Sequence, residues 1–310
     1  MRPLQPAVTP DSGWEGLRTL VADWAELTKL RLATLISFSA LVGALLGSGP
    51  LGSLAGSLEA ALWIAAAAAS GGILNQVLER DVDPLMERTR HRPLVAGRVA
   101  TRDAILVAAV LAIASTFFLA TRFNVTAALL SLASIFLYVA IYTPLKRVSS
   151  LNTVVGALPG AAPPLIGFAA TSGTVGSWGL ALFALVFTWQ FPHFMAIAWL
   201  YREDYRRAGM KMLPALPGGE AVAGRAALFY ALVGLPVAFL PVVWGEAGPV
   251  YGAGALALGL VYLAASLAFA RSRTRRSART LLFVSLIYLP LILSLVLFDP
   301  VVHLSTSIPR

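Results

Sequence analysis

Apolar runs of about 20 residues recur nine times along this chain, at roughly 30–48, 57–78, 103–121, 124–142, 153–172, 177–199, 224–244, 250–270 and 280–298. Each is long enough to cross the hydrocarbon core of a bilayer. The pattern predicts an all-α polytopic membrane protein with about nine transmembrane helices. Only Arg122 and Phe123 separate the third run from the fourth, so that boundary is soft. Pro159, Pro163, Pro164, Pro192, Pro236, Pro241 and Pro290 lie inside the runs. Backbone groups freed by proline within lipid need partners on neighbouring helices or cavity water. The spans are therefore expected to form a kinked bundle enclosing a cavity.

Residues 1–29 precede the first run and read as a cytoplasmic arm; 30–310 read as a single transmembrane domain. Trp14, Leu17, Leu20, Val21 and Trp24 recur at helical spacing, which predicts a short amphipathic helix on the membrane surface. Asp11, Glu15, Asp23 and Glu26, and the lack of a cleavable apolar region before the first span, speak against a targeting sequence.

Composition strengthens the membrane reading. The chain is 58% hydrophobic and 13% charged, against roughly 25% charged for soluble domains. It has no cysteine, which excludes a disulfide scaffold, thiolate metal sites and cysteine nucleophiles. The net charge of +9 follows a topological rule. The arm carries Arg2, Arg18, Lys29 and Arg31, and the 79–102 loop carries six arginines. Lys146 and Arg147 come next, then Arg202, Arg206, Arg207, Lys211 and Arg225, then Arg271, Arg273, Arg275, Arg276 and Arg279. If nine spans alternate, all of these fall on one side, and of the chain's 24 basic residues only Arg122 and Arg310 fall on the other. Positive residues mark the cytoplasmic face, so the N-terminus and the long loops are expected there, and no nucleic acid is needed to explain the charge. Two large loops, each followed two spans later by a smaller basic one, look like a weak duplication of a four-span unit with a ninth span added.

The loop after the second span begins inside a helical pattern. Asn75, Glu79 and Asp83 are spaced i, i+4, i+8 and share one helix face. Asp81 points elsewhere unless the helix has ended, and Pro84 makes an ending plausible. Oxygen ligands at a helix mouth suit Mg²⁺, which takes one or two carboxylates plus substrate phosphate. Arg88, Arg90 and Arg92 follow, cations suited to phosphate oxygens. The plainer alternative is a solvated loop whose arginines only enforce topology.

The loop after the sixth span offers Glu203 and Asp204, a second acidic patch that either adds a metal position or pairs with Arg206 and Arg207. His193 lies about 10 Å inside that span; it is either a hydrogen-bonded core residue or, as intramembrane ionisable groups by default are, functional. Lys146 and Arg147 close span 4, as phosphate ligands or as interfacial anchors. Asn152 leads into a span rich in Gly, Ala and Pro, which gives close helix approach or room for a bulky ligand.

Together these features point to a lipid diphosphate bound with Mg²⁺. The metal and fixed cations would stabilise diphosphate as a leaving group, and the apolar bundle would shield an allylic cation from water. Walker A, HExxH and Ser-His-Asp patterns are lacking.

The residues resemble the UbiA-type intramembrane prenyltransferases, and within them the haem-farnesylating branch. The resemblance rests on Asn75-x-x-x-Glu79-x-Asp81-x-Asp83 with Arg88 and Arg92 behind it. It rests also on Thr28-Lys29-x-Arg31, on Tyr142-Thr143-Pro144-Leu145-Lys146-Arg147, on 152–167, on Trp189-Gln190-x-Pro192-His193 and on Tyr201-x-x-Asp204-Tyr205. It runs from about residue 25 to the end. Glu79 stands where the family usually has Asp, which shifts that carboxylate by about one methylene. The resemblance implies farnesyl transfer from farnesyl diphosphate to a vinyl group of haem B with addition of water, giving haem O and diphosphate. It implies Mg²⁺ held by Asn75, Glu79, Asp83 and Asp204, with Asp81 supporting, and diphosphate held by Arg88, Arg92, Lys146 and Arg147. Glu203 and Asp204 would form the second acidic patch, and His193 would contact haem as iron ligand or hydrogen-bond donor. A bacterial inner-membrane location and an interaction with haem A synthase fit the same picture. Two alternatives stay open: a prenyltransferase with another aromatic or lipid acceptor, and a small-anion transporter.

Overall fold

The computed structural model describes residues 13–49 and 52–299, apart from the side chains of Gly13, Arg31 and Leu32. Arg2, Asp11, Arg310 and the Arg31 side chain, counted above, lie outside the described residues. Among these residues every regular element is helical. The chain opens with α1 (Gly13–Leu27) and α2 (Leu30–Ser48), followed by α3 (Leu54–Glu79) and α4 (Thr101–Phe118). Next come α5 (Val125–Phe136), the short α6 (Thr143–Val148), α7 (Asn152–Ser172) and α8 (Ser177–Leu200). The short α9 (Arg202–Arg207) precedes α10 (Gly219–Ala238), α11 (Leu240–Val243), α12 (Pro249–Ser272) and α13 (Arg275–Phe298).

Among the described residues, eight helical stretches are long and apolar enough to cross a membrane. The expected first span is α2, Leu30–Ser48. Its 19 residues reach about 28 Å, close to the roughly 30 Å hydrocarbon core. The soft boundary near Arg122 is resolved by local chemistry. A π-helical turn, Leu119–Phe123, ends the third span, and Asn124 caps α5 by accepting from Ala127 N–H at 2.9 Å. The same Asn124 amide donates to Ala169 and Ala170 carbonyls on α7. A turn at Phe239, two residues before Pro241, divides the expected seventh span into α10 and α11.

The helix α7 lies at the centre, packed on α2, α3, α5 and α8, while α2 reaches α13 and closes the bundle. Its contact with α2 is backbone to backbone. A Cβ on Gly43 would lie 2.0 Å from the Pro164 carbonyl oxygen, and one on Gly167 would lie 2.1 Å from that of Ala40. Small residues permit this approach, and in lipid such packing replaces the missing hydrophobic drive between helices. Pro163 cannot donate to the Pro159 carbonyl, and Ser134 on α5 donates to it instead at 3.4 Å. One proline-freed group is thus satisfied by a neighbouring helix, as expected.

The amphipathic arm forms as α1. Trp14, Leu17, Leu20 and Val21 are exposed, and Trp24 packs inward with Leu27, Ile73 and Leu94. Exposed apolar residues on one face of a helix beside a membrane domain fit burial in the bilayer interface. Replacing Gly43 by Val is expected to lower stability by about 1–3 kcal/mol through overpacking, seen as a lower unfolding midpoint in detergent. Gly56→Ala, where the nearest atom is 3.7 Å away, is expected to leave that midpoint unchanged.

Candidate functional site

One end of the bundle gathers the long connections. Val82 and Met86 from the first loop pack with Ala208, Met210 and Met212 from the second. The backbone N–H of Lys211 donates to the Lys146 carbonyl at 2.6 Å, and Asn152 donates to that of Lys211. Gln76 donates to the Leu27 carbonyl at 2.8 Å and ties α1 to α3. These apolar and backbone ties place the ends of α1, α3, α6 and α8 around one spot.

At that spot the expected face of α3 is realised. Asn75, Glu79 and Asp83 are buried, and Asp81 is exposed. The helix stops at Glu79, and a 3-10 turn over Asp83–Leu85 carries Asp83 back beneath the same side. Cations interleave with the acids. Lys146 Nζ lies 2.7 Å from Glu79 Oε1, and Arg92 lies 2.7 Å from Asp83 Oδ2 and 3.8 Å from Glu79 Oε2. Burial pushes the Asp83 carboxyl above its ordinary range, while the charge and hydrogen bond of Arg92 pull it back.

The other expected loop residues find their partners outside this cluster. Arg88 stacks over the Tyr201 ring at 5.3 Å, and the exposed Arg147 donates to the Leu78 carbonyl. Glu203 is exposed and pairs with Arg206 at 2.6 Å. Asp204 is buried and pairs with Arg207. The second acidic patch is therefore split, one carboxylate facing out and the other in.

Lys29, Tyr138, Tyr142 and Thr143 were not among the expected catalytic or ligand residues, yet they complete the cluster. Lys29 Nζ donates to Asn75 Oδ1 at 2.9 Å and to the Tyr138 hydroxyl at 3.2 Å. Asn75 donates to Thr143 Oγ1, and the Lys146 ammonium sits 4.4 Å over the Tyr142 ring. Tyr138, Tyr142 and Lys146 are themselves spaced i, i+4, i+8, the same signal that marked Asn75, Glu79 and Asp83. Lys29 takes a left-handed backbone, φ 52°, at the junction of α1 and α2.

The donor set suits a shared metal better than a closed cage. Asp83 Oδ1 is buried with no hydrogen-bond partner, and a buried polar atom of that kind calls for an unseen partner. Among the described residues no group of three His, Asp or Glu side chains is placed to hold a metal. A Mg²⁺ completed by water and substrate phosphate fits that arrangement.

Below the cluster lies a cavity of about 450 Å³. Lys29, Tyr138 and Tyr142 line it, together with Gly71, Gly72, Gly156, Pro159, Gly160 and Pro163. A Cβ on Gly156 would meet the Tyr142 ring at 2.6 Å, so this glycine of α7 lets the Tyr142 ring pack close beside the cavity. His193 also lines the cavity, its ring stacked on Trp189 at 4.8 Å.

The chain matches the UbiA prenyltransferase family over residues 36–287. A protein of Opitutus terrae named protoheme IX farnesyltransferase is 42% identical over 282 residues, which cover 90% of this chain and 94% of that one. The apo structure of a UbiA homolog from Aeropyrum pernix is 25% identical with a TM-score of 0.65, covering 84% and 97% of the two chains. A UbiA homolog from Archaeoglobus fulgidus, solved with GPP and Mg²⁺, is 19% identical with a TM-score of 0.65, covering 88% and 99%.

Breaking one partner of a buried ion pair costs about 3–5 kcal/mol. Lys146→Met is expected to lose stability on that scale in a detergent unfolding assay, because Glu79 is left buried without its nearest cation. Glu79→Leu with Lys146→Met is expected to recover most of the loss.

Proposed function

The chain belongs to the UbiA prenyltransferase family and is an intramembrane prenyltransferase, and from that premise we propose that it joins farnesyl diphosphate to haem B to give haem O. The observation that carries the reading is the juxtaposition of two buried carboxylates and three cations with a largely apolar cavity. Relatives at about 40% identity over most of the chain carry the name protoheme IX farnesyltransferase. That name supplies the prenyl length and the acceptor.

In this reading the diphosphate sits among Arg92, Lys146 and Lys29, with Arg88 and Arg147 at the rim. Asn75, Glu79 and Asp83 would hold Mg²⁺. Asp204, buried and paired with Arg207, would be a further ligand from the second loop, with Asp81 and Glu203 outside. Bound Mg²⁺ supplies Lewis-acid stabilisation of the leaving diphosphate. The C1–O bond of the farnesyl group breaks and its electron pair leaves with diphosphate. A haem vinyl π pair then forms the new C–C bond. The resulting porphyrin-side cation takes a water oxygen and releases one proton, leaving the hydroxyethylfarnesyl group. Arg92 and Lys146 are placed to share the charge that develops on the leaving group. Glycine- and proline-lined walls exclude water from the allylic cation.

The protein is a multi-pass membrane protein. The positive-inside pattern supports a bacterial plasma-membrane location with the N-terminus and acidic loops cytoplasmic. A haem A synthase, which would consume the product, is the expected partner.

Membranes expressing the chain, given haem B and farnesyl diphosphate, are expected to yield a haem heavier by one farnesyl group and one water by mass spectrometry. Chelation of Mg²⁺ should abolish the product, and Asp83→Ala should lower its rate by on the order of 10²-fold. Diphosphate release without a modified haem would sink the haem assignment and leave a prenyltransferase of another acceptor.

A further inference from the structure

His193 sits in α8 with its ring held by two other helical residues. Trp189, one turn earlier, stacks on its face with 22° between the planes. Nδ1 lies 2.8 Å from Ser285 Oγ on α13. That same hydroxyl lies 2.6 Å from the Leu282 carbonyl oxygen. A serine hydroxyl has one proton, and a carbonyl oxygen only accepts. Ser285 therefore donates to Leu282 and accepts from His193. The ring proton is on Nδ1, and Nε2 carries a lone pair.

The two edges of the ring face different surroundings. Ser285 is fully buried in the seam between α8 and α13. Trp189, His193, Leu286 and Leu289 line the cavity. The Nδ1 edge thus points into the seam and the Nε2 edge towards the cavity, where Nε2 meets no hydrogen-bonding group of the described residues. Among the described residues the ring's stacking and hydrogen-bond partners are Trp189, Phe194 and Ser285, and none is a carboxylate. An imidazolium there would be a buried cation with no anion beside it, which is strongly disfavoured. A neutral ring with Nδ1–H leaves Nε2 as an acceptor or metal ligand, and removes the option of His193 donating a hydrogen bond into the cavity.

We propose that Ser285 is a positioning residue that locks the His193 tautomer and presents Nε2 to the cavity as an axial ligand for the iron of a metalloporphyrin acceptor. The inference rests on the haem reading above and deepens it. Metal-ligating histidines commonly donate their other nitrogen to an oxygen acceptor, which fixes the ring and raises its basicity. Ser285 does one thing more: its backbone carbonyl accepts from Trp189 Nε1 at 2.9 Å. One residue thereby orients both the imidazole and the indole stacked on it. Removing only the hydroxyl keeps the indole anchor, so Ser285→Ala is a clean probe.

Purified full-length protein would be titrated with haem B and, separately, with metal-free protoporphyrin IX. Wild type is expected to give the absorption and resonance Raman bands of histidine-ligated haem, and His193→Ala to lose them. Ser285→Ala is expected to weaken haem binding by about 10-fold or more, to lower the iron–histidine stretching frequency of the ferrous complex, and to leave protoporphyrin IX binding unchanged. Ser285→Thr, which keeps a hydroxyl, is expected to restore both. If His193→Ala loses the bands while Ser285→Ala changes neither affinity nor frequency, the positioning role is overturned. If His193→Ala leaves the bands intact, iron ligation is overturned as well. Haem O formation by wild type, read in the same preparation, judges the reaction separately: product with no spectral dependence on His193 defeats this inference and leaves the farnesyl transfer standing.

Discussion

The ion pair between Lys146 and Glu79 fixes where two spans must end. Neither charge can sit alone at that depth, because an uncompensated buried ion is far more costly than a paired one. The end of α3 and the end of α6 are therefore held at the same level, with Nζ and Oε1 2.7 Å apart. Arg92 extends the pairing to Asp83, and Lys29 extends it through Asn75. Apolar residues of similar size often stabilise a protein as well as a buried ion pair does. A cluster of this kind makes physical sense as chemistry held ready rather than as a source of stability. The unpartnered Asp83 Oδ1 marks where that readiness is greatest.

The cavity depends on the cluster and on the opposite property of its walls. Polar groups converge at one end of the bundle, while α7 supplies Gly, Ala and Pro where bulk would close the space. The close crossing of α2 and α7 spends its small residues on helix contact, and Gly156 and Gly160 admit the Tyr142 ring and the Gln190 amide beside the cavity they line. A chain of isoprene units and a charged head group ask for this division. The packing of α8 against α13 then adds a second, separate polar point, His193, on the cavity wall.

Much of this was legible in the sequence because lipid leaves few options for polar residues. Asn75 and Glu79 could be aligned by helical spacing alone, whereas Asp83 reaches the same side through a 3-10 turn beyond the helix end, which the spacing did not show. The span count followed from apolar runs. Other features had a signal that composition obscured: Tyr138 and Tyr142 stand in register with Lys146, but tyrosines near a membrane interface are common. The split of Glu203 from Asp204 was open, since adjacent residues on a short helix point apart but which one faces in depends on tertiary packing. Lys29 could be read as part of a motif, yet its reach to Asn75 depends on a left-handed backbone at a helix junction, which no local pattern announces. The roles of Ser285 and Gly167 depend on which helices meet, and that is a property of the assembled bundle.

The central claim is that Glu79 and Asp83 bind a prenyl diphosphate through Mg²⁺ at the mouth of the apolar cavity. Calorimetric binding of a non-hydrolysable farnesyl thiodiphosphate to the purified protein, with and without Mg²⁺, tests it most directly. The account predicts binding that requires Mg²⁺ in the wild type and is lost in Asp83→Asn with the fold intact. Equal affinity with and without the metal, or undiminished affinity in Asp83→Asn, would contradict it.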